Sequence, residues 1–211
     1  MGMVRAVLFD NDGTLVDTSR EYRHEIIGRA LESLGKQVTS EEMDRFWYEG
    51  GRTETVRNVF GVDPEKFWPV FMNIDSWDSR RPYTFAYDDV GFLDDLKEQG
   101  IKTGIVTAAP PHIANPEIDL VGRERVEVAV AAHKRNGVRH KPDPHGLEVA
   151  MQELGVQPSD TVYVGNSIDD MQTAENAGVR GVMIRRDYDN GYTGPAPVIC
   201  SLFELRGVLK L

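Results

Sequence analysis

The chain has 211 residues, of which 40% are hydrophobic and 27% are charged, and this balance is typical of a globular protein with one domain or a core with an inserted module. A formal net charge of −10 argues against general nucleic-acid binding, and no apolar run approaches the ~20 residues of a membrane helix. The single cysteine, Cys200, cannot form an internal disulfide, which fits a cytoplasmic location. We expect Cys200 in the core, and we expect no signal peptide because a strand begins at once.

The first predicted strand covers roughly residues 4 to 10 and ends in acidic residues. Its apolar part runs directly into Asp10, and Asp12 and Gly13 follow. An apolar run that ends in this way predicts a buried strand that stops at a turn. Ligands bind at the carboxyl ends of parallel strands, and two carboxylates there repel each other unless a cation or a shared proton compensates. The pattern indicates metal-dependent chemistry on an anionic substrate.

Residues 18 to about 85 are predicted to be helical throughout, with no strand among them. Apolar residues recur at helical spacing around 22–34, 43–47, 56–60 and 67–72. Thr39 with Glu42 predicts a capping box for the second helix, and Asp63 with Pro64 predicts the start of the fourth. We therefore predict an all-helical domain over 17–85, inserted into an α/β core formed by 1–16 and 86–211.

A glycine-rich loop in this insert is the candidate for substrate recognition. Gly51 permits a tight turn beside Arg52. Arginine is the side chain best suited to a second phosphate or a carboxylate, so we expect both residues to bind substrate.

From residue 86 onward, predicted strands alternate with predicted helices. The strands are expected over 103–107, 126–132, 161–164, 181–184 and 198–200, and the helices around 90–96, 144–154, 168–177 and 201–209. The stretch 110–120, which prolines interrupt, is predicted to be weakly helical at best. This alternation predicts a doubly wound parallel sheet with helices on both faces.

Two further segments offer groups for an anionic substrate. Thr107 ends a predicted strand, where its hydroxyl and the backbone N–H groups of Ala108 and Ala109 are positioned to face a phosphate. Lys141 lies just before a predicted helix, and its ammonium is expected to neutralise Asp10 and the phosphoryl oxygens.

The strand ends, taken in order, resemble the four motifs of the haloacid dehalogenase superfamily. The six residues from Asp10 match the first motif, D-x-D-G-T-[LV], in full, and Thr107 and Lys141 match the second and third. The fourth motif is commonly G-D-S-x-x-D. Here Asn166 stands where the family has an Asp that ligates magnesium, and Asp170 matches the second acid.

The resemblance implies a Rossmann-like core with a helical cap that closes over the site. It implies that Asp10 is a nucleophile that forms an aspartyl-phosphate and that Asp12 is the general acid and base, roles that carboxylates can perform. It also implies Mg²⁺ held by Asp10, Asp12, Asn166 and Asp170. Because an amide brings no charge, Asp169 is an alternative ligand.

The leading functional prediction is a magnesium-dependent phosphatase of small phosphorylated metabolites, similar to phosphoglycolate phosphatase. The alternative is a phosphomutase resembling β-phosphoglucomutase, and a non-catalytic binding protein is the third possibility. The expected partner is a small phosphate ester, with no nucleic acid or membrane, and the expected state is a monomer or dimer in the cytoplasm.

Overall fold

The computed structural model describes residues 3–133, 136–186 and 188–211, and the chain divides into two compact units. The α/β unit is formed by Met1–Asp17 and Phe85–Leu211, and the helical unit by Thr18–Thr84. The role of the helical unit as a cap stays a prediction. None of the described helices is long and apolar enough to cross a membrane.

The strands and helices alternate in the α/β unit as the sequence predicts. The strands are β1 Ala6–Phe9, β2 Val16–Thr18, β3 Thr84–Ala86, β4 Lys102–Thr107, β5 Val128–Ala131, β6 Thr161–Gly165, β7 Arg180–Ile184 and β8 Val198–Ile199. The helices are α1 Arg20–Ser33, α2 Ser40–Tyr48, α3 Arg52–Asn58, α4 Pro64–Ile74, α5 Trp77–Arg80, α6 Phe92–Glu98, α7 Pro111–Val121, α8 His145–Leu154, α9 Ile168–Asn176 and α10 Leu205–Leu209.

The main sheet has the strand order β5-β4-β1-β6-β7-β8, and its strands are parallel. All four residues of β1 are buried, as expected for a strand covered on both faces. Val7 and Phe9 belong to a core shared with α6, α7 and α10, whereas Ala6 and Leu8 belong to a core shared with α8 and α9. The predicted doubly wound α/β fold is thereby confirmed, and β1 ends between the ends of β4 and β6.

The helical unit has its own aromatic core. The ring of Phe46 lies 5.4 Å from that of Phe60, 5.6 Å from Phe67 and 5.7 Å from Phe71. The predicted capping box at Thr39 is confirmed, since its hydroxyl accepts from the Glu42 N–H while the Glu42 carboxylate accepts from the Thr39 N–H.

The prediction that 110–120 is weakly helical at best is wrong, because α7 spans eleven residues. Pro111 occupies the first helical position, where a missing N–H costs nothing. Ile113, Ile118 and Val121 are buried on one face of the helix. Burial of this face outweighs the disruption that Pro116 causes inside the helix.

Two short strands, β2 and β3, pair near the ends of the segment predicted to lack strands. Each has three residues, too few to give a recognisable alternation of apolar and polar residues. The Thr18 and Thr84 hydroxyls lie 3.0 Å apart in this pair.

Cys200 is exposed, so its predicted place in the core is wrong. The strand β8 forms the edge of the sheet, with Ile199 buried and Val198 41% exposed. Side chains alternate along a strand, and Cys200 falls just after its end.

Candidate active site

The carboxyl end of β1 places Asp10 beside the ammonium of Lys141. The Asp10 N–H donates to the Val164 carbonyl of β6 at 2.8 Å, which fixes the backbone next to the neighbouring strand. Lys141 Nζ donates to Asp10 Oδ1 at 2.5 Å and to Asp170 Oδ1 at 2.7 Å. The structure therefore brings Asp10, Lys141 and Asp170 together in one buried group.

Asp170 is anchored by donors on both carboxylate oxygens. Oδ1 also accepts from the Tyr163 hydroxyl at 2.9 Å, and Oδ2 accepts from the Ser167 N–H at 2.9 Å and from its hydroxyl at 2.6 Å. Ser167 and Asp170 form the capping box that starts α9. A Cβ on Gly165 would lie 2.4 Å from Asp170 Cγ, so only glycine fits at this strand end. Asp170 is thus a fixed anchor for the Lys141 ammonium.

Burial and charge oppose each other in setting the pKa values of Asp10, Asp170 and Lys141. Burial raises the pKa of Asp10 to about 7, against the opposing effect of the Lys141 ammonium. Burial also acts to raise the pKa of Asp170, but the ammonium and the Ser167 donors outweigh it and the pKa is lowered. For Lys141 burial acts to lower the pKa, and the two carboxylates prevail and raise it. The ammonium form of Lys141 is therefore the stable partner of Asp10.

The turn after Asp10 is held around the Asn11 carbonyl. This oxygen accepts from the N–H groups of Thr14, Leu15 and Val16 at 3.1, 2.8 and 3.1 Å. Gly13 has φ +82°, and a Cβ there would lie 2.3 Å from Asn166 Nδ2. The glycine therefore permits both the turn and the close approach of Asn166.

Asn166 faces the Asp10 carboxylate and the Asp12 carbonyl. With its side-chain nitrogen facing the turn, the amide donates to Asp10 Oδ2 and to the Asp12 carbonyl, both at 3.2 Å. In the other orientation of the amide, Asn166 Oδ1 accepts from the Thr14 hydroxyl at 3.3 Å and lies next to Asp10 Oδ2 and the Asp12 carbonyl oxygen. Carboxylate, carbonyl and amide oxygens are suitable ligands for Mg²⁺, so the donor set fits this metal. Within the described ranges there is no group of three or more His, Cys, Asp and Glu that would bind a metal by itself.

Thr107 is buried at the end of β4, as predicted, and its hydroxyl already has a local partner. Thr107 Oγ1 accepts from the Ala109 N–H at 3.1 Å. Ala108, between them, is exposed. A phosphate contact by these groups stays a prediction.

Gly51 and Arg52 belong to the helical unit. Gly51 precedes α3 with φ +57°, a left-handed conformation that favours glycine. Arg52 Nη2 donates to the Trp47 carbonyl at 3.2 Å, and its guanidinium lies 4.7 Å from the centre of the Trp47 ring. Their role in substrate binding stays a prediction.

Sequence reasoning missed several side chains that hold the site. Tyr163 is buried within β6, where a tyrosine gives no separate signal, whereas the Ser167-x-x-Asp170 pattern of a capping box was readable. Glu117 on α7 is 0% exposed and accepts from Asn11 Nδ2 at 2.9 Å. An acid on an apolar helix face is a recognisable signal, but the weak helical prediction for this stretch concealed it.

A parallel sheet with a buried aspartate, an ammonium and a cluster of oxygen atoms at its carboxyl edge is suited to the hydrolysis of anionic esters. The family model for haloacid dehalogenase-like hydrolases matches residues 7–184. The chain belongs to this family, and the predicted family resemblance is confirmed.

The curated relatives that it matches include two phosphatases. The chain is 29% identical over 203 residues to N-acetylmuramic acid 6-phosphate phosphatase of Pseudomonas aeruginosa, with 92% of this chain and 87% of the relative covered. It is 28% identical over 208 residues to phosphoglycolate phosphatase of Pseudomonas putida, with 89% and 71% covered. The predicted enzyme class is confirmed at this level: the chain is a haloacid dehalogenase-like hydrolase whose relatives are phosphatases.

Solved structures show the same fold over the whole chain. CbbY from Rhodobacter sphaeroides in complex with phosphate has a TM-score of 0.74 at 19% identity, with 99% of this chain and 100% of that chain covered. A HAD-superfamily hydrolase of subfamily IA from Geobacter sulfurreducens has a TM-score of 0.69 at 22% identity, with 98% and 96% covered. At these identities the likeness concerns the fold alone.

Proposed function

We propose that the protein is a magnesium-dependent phosphatase that hydrolyses small phosphorylated metabolites through an aspartyl-phosphate on Asp10. The observation that carries the proposal is the contact of Lys141 with Asp10 at 2.5 Å, with Asp170 holding the ammonium from behind. A carboxylate at a strand end, kept beside a fixed cation, is suited to attack a phosphoryl group.

The chain's own residues divide the chemistry between them. An Asp10 oxygen forms the bond to phosphorus as the bond to the leaving oxygen breaks, and the Asp12 carboxyl protonates that oxygen. Asp12 then takes a proton from the water that attacks phosphorus and releases phosphate and free Asp10. The oxygens of the transferred phosphoryl group are held by Lys141, by Thr107 and by the backbone N–H groups of Ala108 and Ala109.

Magnesium would be held by the Asp10 carboxylate, the Asp12 carbonyl and Asn166. When bound, the cation supplies positive charge that screens the phosphate from Asp10. Asp170, which was also predicted as a ligand, has four hydrogen bonds to protein groups, so direct contact with the metal would replace at least one of them. Its proposed role is therefore to position Lys141, and Asp169 remains the alternative ligand.

The names of the relatives support a substrate class with a second anionic group. N-acetylmuramic acid 6-phosphate and phosphoglycolate both carry a carboxylate besides the phosphate. We propose that the helical unit acts as the cap and that Gly51 and Arg52 bind such a second anionic group. The cytoplasmic location stays a prediction from the single cysteine.

A phosphatase assay against a panel of phosphate esters, with and without Mg²⁺, tests the proposal. We expect release of inorganic phosphate that depends on Mg²⁺ and is lost in Asp10→Asn. Phosphate release that persists in Asp10→Asn would refute the nucleophile, and isomerised product without free phosphate would indicate a mutase.

A further inference from the structure

An arginine outside the four motifs donates hydrogen bonds to the turn that carries Asp12. Arg186, two residues beyond β7, donates from Nε at 3.2 Å and from Nη2 at 2.7 Å to the Thr14 carbonyl. Its side chain is only 9% exposed. A guanidinium that donates twice to one carbonyl restrains both the position and the direction of that peptide group.

Asp89 holds the arginine in a forked ion pair. Arg186 Nη1 donates to Asp89 Oδ2 at 2.7 Å, and Nη2 donates to Oδ1 at 2.9 Å. Asp89 Oδ2 also accepts from the Ser201 hydroxyl at 2.9 Å and from the Leu202 N–H at 2.8 Å. The Tyr87 ring lies 4.0 Å below the guanidinium. With contacts on its edges and its face, Arg186 has little freedom to change rotamer.

The hydrogen bonds from Arg186 add a second restraint to the turn that follows Asp10. The Thr14 N–H donates to the Asn11 carbonyl on one side of the turn, whereas the Thr14 carbonyl accepts from Arg186 on the other. Asp12 lies between Asn11 and Gly13, within the restrained segment. A displacement of about 1 Å in a catalytic group can cost up to ~10²-fold in rate.

We propose that Arg186, held by Asp89, is a positioning residue that aims Asp12 at the leaving-group oxygen. This inference rests on the proposed function, because it needs Asp12 to be the general acid. A residue with a purely structural role would slow all substrates alike, whereas a residue that aims the acid matters most where the leaving group needs a proton.

The test compares single-turnover rates of leaving-group release from an alkyl phosphate and from p-nitrophenyl phosphate. Arg186→Lys keeps the charge but cannot form the fork. We expect the alkyl rate to fall by about 10- to 100-fold and the aryl rate to stay nearly unchanged. Asp89→Asn is the second variant, because it removes the charge of the arginine's partner but keeps its shape. It should give the same pattern, and it tests the proposal even where Arg186→Lys does not fold.

Arg185→Lys is the matched control. The adjacent Arg185 pairs with Asp189, an exposed residue, through Nε and Oδ1 at 3.2 Å, so both its rates should stay at the wild-type level. Asp12→Asn separates the role of Asp12 as the acid from the role of Arg186 in positioning it. This variant should lose rate selectively on the alkyl phosphate whether or not Arg186 positions the acid. Equal losses on both substrates in Asp12→Asn would overturn the proposed acid. A different outcome would overturn the role of Arg186 alone. In it, Asp12→Asn loses rate selectively on the alkyl phosphate, whereas folded Arg186→Lys and Asp89→Asn lose rate equally on both phosphates or not at all.

Discussion

Asp10 and Lys141 form one electrostatic unit, and the charge state of each depends on the other. Burial raises the pKa of Asp10, and the ammonium 2.5 Å away favours the ionised form that can attack phosphorus. Asp170 makes this possible, because a second carboxylate keeps the ammonium charged in a buried place.

Asp10→Asn should abolish turnover while the protein stays folded, because an amide has nearly the same shape but is a far poorer nucleophile. Phosphate release and the thermal unfolding midpoint, measured on the same preparation, check this. Activity above a few per cent of wild type in a folded variant would contradict the mechanism.

Asp12→Asn should slow steady-state turnover of ordinary alkyl phosphates by roughly 10²–10⁴, the usual contribution of a general acid–base group. The loss should appear in kcat, because the amide can still occupy the same place. Wild-type kcat on alkyl phosphates would remove Asp12 from its assigned role.

Asp89 should make the stability of the fold depend on pH. Burial acts to raise its pKa, but the hydrogen bond from Arg186 and the Leu202 N–H outweigh it, so the pKa is lowered in the folded state. A lowered folded-state pKa stabilises the protein above the unfolded value of about 3.9, and this contribution disappears as the pH falls through the folded-state pKa.

Urea unfolding of wild type and Asp89→Asn checks this expectation. The free energy of unfolding of wild type should exceed that of the variant near neutral pH, and the difference should shrink below pH ~4. A difference that stays constant over this range would show that the charge of Asp89 has no part in it.

At the scale of elements, the carboxyl ends of β1, β4 and β6 gather the site because they are neighbours in the sheet. The meeting of these three strand ends was predictable from the sequence, since Asp10, Thr107 and Asn166 each follow an apolar run. Lys141 lies in the loop between β5 and α8 and follows no such run. The residues that support the turn after Asp10 were not predictable, because Glu117 and Arg186 act through contacts between positions more than 100 residues apart. Sequence periodicity reports burial of a residue, not which distant group it meets.

Asn166, in the connection between β6 and α9, is expected to set the affinity for Mg²⁺. Asn166→Asp adds a charged ligand and should lower the Mg²⁺ concentration needed for half-saturation by several-fold, because ligand charge tunes the binding of hard cations. Calorimetric Mg²⁺ titration measures this without substrate. Asn73→Asp, an exposed residue of the helical unit, adds the same charge and should leave the affinity unchanged. An unchanged affinity in Asn166→Asp would point to Asp169 as the acid that already serves the cation.

At the scale of the whole molecule, the chain consists of two units with separate cores. The helices of the insert were predictable from the spacing of its apolar residues and from its caps. The β2–β3 pair was not, because three-residue strands carry too little pattern.

The helical unit should govern the choice of substrate and not the chemistry. Arg52→Ala should raise KM by about tenfold or more for phosphate esters with a second anionic group, the worth of one charge-assisted hydrogen bond. A neutral aryl phosphate should be nearly unaffected. Arg57→Ala on the same helix, where the side chain is exposed, is the matched control. Equal losses on both kinds of ester would show that Arg52 is structural.

The most direct test of the central claim is to trap the phosphorylated enzyme. Asp12→Asn should still react with p-nitrophenyl phosphate and Mg²⁺, because this leaving group needs no proton, but should lose the phosphoryl group slowly. After acid quench and proteolysis, peptide mass spectrometry should find one added phosphoryl group on Asp10. An enzyme that releases nitrophenol over many turnovers with no adduct on Asp10, or with the adduct on another residue, would contradict the account.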